Sequence, residues 1–125
     1  MDWEYVIVKD RNLISVRASG AFSPASFEDM IKDIQSDEQW QPGMDRLLDF
    51  CRLDFSKTTA DDIRMAAEIH KKYDARIGYG RIAVVFGREA DLGLGRMYES
   101  LLGKNVLATV KSFMTADEAR QWLAG

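Results

Sequence analysis

One cysteine, one histidine and two prolines are all that 125 residues contain of those types. The lone Cys51 excludes an internal disulfide and fits a reducing compartment. The lone His70 excludes any multi-histidine metal site. C-x-x-C, H-E-x-x-H, G-x-S-x-G and P-loop Gly-Lys-Ser/Thr patterns are all missing. Their absence removes the common redox, zinc-hydrolase, serine-hydrolase and nucleotide-binding signatures. No apolar run approaches the roughly 20 residues of a membrane-spanning helix. The acidic start Met1-Asp2-Trp3-Glu4 does not read as a signal peptide, so a cytoplasmic location is expected. Linkers, repeats and low-complexity tracts are missing too, and a single domain over residues 1–125 is expected.

What is present is ordinary globular material: 46% hydrophobic and 30% charged residues, enough for a core without staples. The net charge of −3 argues against nucleic acid as the partner. Charge is uneven along the chain, with a net −6 over residues 1–62 and +3 over residues 63–125. Solvated faces of a mixed sheet account for this most simply; an acidic partner or a membrane-headgroup surface is the functional alternative.

Hydrophobic periodicity predicts the order ββαβαβαβα. Trp3–Val8 and Leu13–Ala18 form a hairpin across Asp10-Arg11-Asn12. Ser23 caps a helix with Pro24 at its first position, and Phe27, Met30, Ile31 and Ile34 make its apolar face. Arg46–Phe50 is a short buried strand. Thr58 or Thr59 caps the next helix, and with Thr59 as the cap Asp62 completes a capping box. Arg81–Phe86, apolar from Ile82 onward, reads as a central parallel strand buried on both faces. A helix opened by Gly93 and Gly95 follows, then a strand over Val106–Phe113 and a last helix capped at Thr115. The expected architecture is a mixed five-stranded sheet with an N-terminal β-hairpin and flanking helices.

Few residues suggest chemistry. Asp49, Asp54, Asp61 and Asp62 gather near a strand's C-terminal end, where open α/β sheets place ligands, but helix dipole and turn formation explain most of them. Cys51 reads as a small core residue, and His70 as a partly buried, hydrogen-bonded side chain on its helix's apolar stripe. An enzyme built on Asp49, Cys51 and His70 is the least favoured reading; no catalytic residue, metal or cofactor is assigned. The unusual stretch is Arg88 to Tyr98. Gly93 and Gly95 permit close approach of a backbone or ligand, and Arg88 and Arg96 at a helix start favour an anion. Leu94, Met97 and Tyr98 continue it as an apolar wall, part of a surface broader than one helix on a sheet requires.

Four segments together carry a family resemblance: Gly20-Ala21-Phe22-Ser23 entering the first helix, Leu47-Leu48-Asp49-Phe50, the strand Arg81–Phe86 leading to Leu92-Gly93-Leu94-Gly95-Arg96-Met97-Tyr98-Glu99, and the ending Phe113, Asp117-Glu118-Ala119, Trp122-Leu123. Over nearly its whole length the chain resembles the SpoIIAA-like family, small bacterial relatives of STAS domains. The resemblance implies a mixed sheet wound as a right-handed βα superhelix. STAS anti-sigma-factor antagonists carry a phosphorylated Asp-Ser-Ser/Thr-Gly motif where this chain reads Asp54-Phe55-Ser56-Lys57-Thr58-Thr59, and the motif is absent. Lipid-carrier domains of the CRAL-TRIO kind share a related fold.

Two functions are therefore expected ahead of any other. The first is a non-enzymatic binding domain for an apolar or lipid-like amphipathic ligand, or for a membrane surface to which it would attach peripherally. Arg88 and Arg96 would meet the head group, and Gly93, Leu94, Gly95, Met97 and Tyr98 would line the site. The second is a STAS-type protein-interaction regulator with Ser56, Thr58 or Thr59 as a phosphorylation switch. A homodimer is compatible with both.

Overall fold

Alternation builds the first hairpin. In β1 (Asp2–Val8) Trp3, Tyr5 and Ile7 share one face, and across the ladder they meet Ala18, Val16 and Ile14 of β2 (Leu13–Ala21), all three buried. A single 3-10 turn at Lys9–Arg11 joins the strands, and Asn12 follows in the left-handed region at φ 51°. Asn tolerates that conformation because its short polar side chain can bond locally. The computed structural model describes residues 1–125.

From β2 onward the sheet is parallel. β3 (Asp45–Asp54), β4 (Arg81–Val85) and β5 (Thr109–Phe113) are added in sequence order, so the sheet reads β1-β2-β3-β4-β5 with only the first pair antiparallel. Right-handed crossovers between strands laid down in order put their helices on one face. That face holds α1 (Pro24–Gln35), α2 (Ala60–Lys72), the one-turn α3 (Asp74–Ile77) and α4 (Glu89–Leu102). Their apolar stripes close the main core, which includes Ile14, Val16, Met30 and Ile34 with almost no exposure. α5 (Ala116–Ala124) covers the other face, where Ala119 packs against Leu47, Ala83, Val85 and Phe113. The unbroken apolar run of β4 follows directly: Ile82 and Val84 enter one core, Ala83 and Val85 the other.

Three helix starts fall where the sequence places them. Ser23 accepts from the Ser26 N–H, Thr59 and Asp62 form a reciprocal capping box, and Thr115 accepts from the Glu118 N–H. Four boundaries differ from expectation. β3 runs to Asp54 because, beyond a bulge, β2's Ser19–Ala21 pair with Arg52–Asp54. α3 follows α2, since Ile77 has a buried site and the Asp74 carboxylate accepts from the Leu107 N–H at 2.8 Å. β5 begins only at Thr109, where pairing with Arg81 begins. α4 starts at Glu89, so Gly93 and Gly95 lie inside the helix rather than opening it. No helix is long and apolar enough to cross a membrane.

Candidate functional site

The period of β3 turns Arg46, Leu48 and Phe50 toward the helices, so a charged residue stands at the first of three core-facing positions. Arg46 is 2% exposed. Its guanidinium carbon lies over the Trp40 ring, 4.4 Å from the centroid, while Nε and Nη2 are buried without hydrogen-bond partners. None of the ion pairs in the molecule includes it. Burial lowers its pKa to about 10, so it is still a cation at neutral pH.

Three further elements bring polar groups to the same cavity. His70 on α2 is also 2% exposed. Its Nδ1 lies 2.7 Å from the Tyr98 hydroxyl on α4, and its Nε2 has no partner. Burial, then the positive charge of Arg46, lowers the His70 pKa to about 4. The Tyr98 hydroxyl is pushed well above the ordinary phenol range by burial. Both are neutral near pH 7. From β5 the Ser112 hydroxyl is buried and unpartnered as well.

These groups line one cavity between the sheet and the helical layer. Its volume is about 50 Å³, and apolar side chains such as Leu48, Phe55, Ile63 and Ile82 make most of its wall. That space corresponds to roughly three or four water-sized groups. Phe22 and Leu94 are half-buried wall residues toward the C-terminal ends of the strands, and the Phe22 and Phe55 rings stack there at 5.2 Å. Gly95 admits the close approach of α4 to the sheet. A Cβ there would stand 2.4 Å from the Phe86 ring and 2.6 Å from the Ser112 hydroxyl.

Of the residues singled out around α4, Leu94, Gly95 and Tyr98 line this cavity. Arg88, Gly93 and Arg96 are exposed and Met97 is half-buried, and none of the four reaches its wall. The expected arginine pair at a glycine-opened helix start is thus replaced by a different arrangement. Arg88 is the N-cap residue, and Glu89 and Asp91 already place carboxylates in the first turn. Ser56 is exposed with its N–H on the Asp54 carboxylate, the Thr58 hydroxyl is buried, and the Thr59 hydroxyl is engaged in the capping box. Asp49 accepts from the Cys51 N–H, and Cys51 is exposed rather than a core residue, its thiol 4.0 Å from the Val85 carbonyl and its pKa raised to about 11 by partial desolvation and by Asp49. The structure does not bring Cys51 to His70. No three His, Cys, Asp or Glu side chains are placed to hold a metal together.

Arg46 and Ser112 escape a reading of the sequence. An arginine opening an apolar strand looks the same whether its side chain turns out or in, and only the tertiary register decides. The one available signal is parity: Arg46 shares its face with Leu48 and Phe50.

A search of curated proteins finds no match. A crystal structure of an uncharacterised protein of the DUF3478 family from Shewanella loihica PV-4, described as having a SpoIIAA-like fold, superposes with a TM-score of 0.61 at 16% identity over 97% of this chain and 93% of that one. At that identity the likeness speaks for the fold alone. The family description SpoIIAA-like matches residues 13–124, nearly the whole sheet and every helix, and on that match the chain belongs to the SpoIIAA-like family.

Proposed function

We propose that the domain is a non-enzymatic binding module whose ligand is a small amphipathic molecule seated between α2, α4 and β3. One observation carries this reading. The wall of this largely apolar cavity includes three buried polar side chains, Arg46, His70 and Ser112, with hydrogen-bonding atoms that meet nothing in the protein. Buried polar groups are nearly always satisfied, and leaving one unpaired costs about 1–3 kcal/mol, more for a charge. A ligand with an apolar body and one polar end supplies what these groups lack. Binding is favoured over catalysis because burial lowers the basicity of His70 and the acidity of Tyr98, so neither is activated as a base or nucleophile. A phosphorylation switch has weaker support, since the Thr58 hydroxyl is buried, the Thr59 hydroxyl is in the capping box, and the exposed Ser56 sits against the Asp54 carboxylate.

Native mass spectrometry of the purified protein, set against its denatured mass, tests the reading. A non-covalent adduct of small mass is expected. A bare native mass, together with unchanged methyl resonances of Leu48, Ile63 and Ile82 on titration with 1-hexanol, would sink it.

A further inference from the structure

The polar part of this cavity is built for one charge type. We infer that it takes a carboxylate, with Arg46 as its counter-ion and His70 as an accessory donor; this rests on the binding reading above. An arginine side chain offers five N–H donors and no acceptor. His70 joins them in one tautomer. When the Tyr98 hydroxyl donates to Nδ1, the imidazole proton resides on Nε2, the nitrogen without a partner. The site then holds donors from two elements, β3 and α2, and a single positive charge.

Trp40 does not meet this need. The guanidinium carbon lies over its ring, and a cation–π contact supplies no acceptor for the N–H groups on Nε and Nη2. A neutral acceptor would satisfy those groups and leave the charge. A carboxylate does both, because its two oxygens match the guanidinium fork and its charge is −1. A phosphate brings more charge and more oxygens than the apolar walls can solvate.

Size and direction follow from the fold. Arg46 and Phe50 point to the same face four residues apart, which is ~13 Å along a strand. The cavity of about 50 Å³ accepts the carboxylate and the first carbons of a chain. The rest of a short aliphatic or aromatic tail extends along Leu48 toward Phe22, Phe55 and Leu94. The ligand class is a monocarboxylate with a short apolar tail, head inward.

The test titrates the protein at pH 7 with hexanoate, hexanamide and inorganic phosphate, following the Arg46 Nε–H resonance by NMR. Hexanoate is expected to bind at least tenfold more tightly than hexanamide and to shift that resonance strongly. In Arg46→Met hexanoate should lose at least tenfold in affinity while hexanamide is retained. Equal affinity of acid and amide overturns the carboxylate assignment and leaves the cavity as a binding site. A response to phosphate without one to hexanoate overturns it as well. If neither organic probe binds, the assignment and the binding reading fall together. Should Arg46→Met fail to fold, the acid-against-amide comparison in the unaltered protein decides alone.

Discussion

His70 is the only histidine, so its titration can be read without interference from another imidazole. Its pKa falls from an ordinary 6.5 to about 4 in the folded protein. Between those values the unfolded chain binds a proton that the folded chain refuses, so stability rises with pH across that window and is lost as pH falls through it. From pH 7.5 to pH 5 the loss is expected to be about 2 kcal/mol. Urea denaturation at the two pH values should show it, and His70→Gln should remove most of the difference. An equal loss in that variant would mean that other groups dominate. Arg46 sharpens the effect, because its charge adds to desolvation in holding His70 neutral. The site's residues were only half legible in the sequence. His70 could be placed on the apolar stripe of its helix, but the empty Nε2 and the buried guanidinium are facts of register and packing, which no local pattern encodes.

Along a single helix, the same substitution should act in opposite directions. α4 carries Gly93 and Gly95 two residues apart. A methyl at Gly93 meets nothing within 4 Å, so Gly93→Ala should stabilise the protein by about 1 kcal/mol through helix propensity. A methyl at Gly95 would strike the Phe86 ring and the Ser112 hydroxyl, both under 3 Å. Gly95→Ala should therefore destabilise by about 1–3 kcal/mol despite the same propensity gain. Thermal midpoints of the two variants check this; a shift of the same sign in both would refute the packing account. Elements were more legible than sites. Caps at Ser23, Thr59 and Thr115 and the apolar run of β4 are written in short stretches of sequence, so they could be read locally. The extension of β3 and the single turn of α3 depend on partners far along the chain, a strand end for one and a loop N–H for the other. Both glycines of α4 lie inside the helix despite glycine's poor helix propensity; at Gly95 close packing against Phe86 and Ser112 requires it.

At the level of the whole molecule, two cores share one sheet. The larger depends on three crossover helices, the smaller on α5 alone. Removing residues 116–125 should uncover Leu47, Ala83, Val85 and Phe113 while leaving the larger core and its cavity assembled. Such a variant is expected to bind an apolar dye and to associate, whereas full-length protein should do neither under the same conditions. A truncated protein that is monomeric, dye-free and equally stable would show that α5 is dispensable. The ββαβαβαβα order was readable as a whole because alternating strand and helix periods leave few right-handed topologies to choose among.

The sequential strand order has a consequence during synthesis. Each new strand emerges beside the one that left the ribosome just before it, so a growing sheet always has a finished edge to receive the next segment. Folding can thus advance from the N-terminal hairpin without waiting for distant partners, and the binding cavity closes when β5 delivers Ser112. Only α5 turns back, over strands already made. A nascent chain stalled just before Ala116 would have a formed ligand site and one bare face of the sheet. That interval is when a chaperone has most to shield, and when a bound carboxylate would already hold β3, α2 and α4 together.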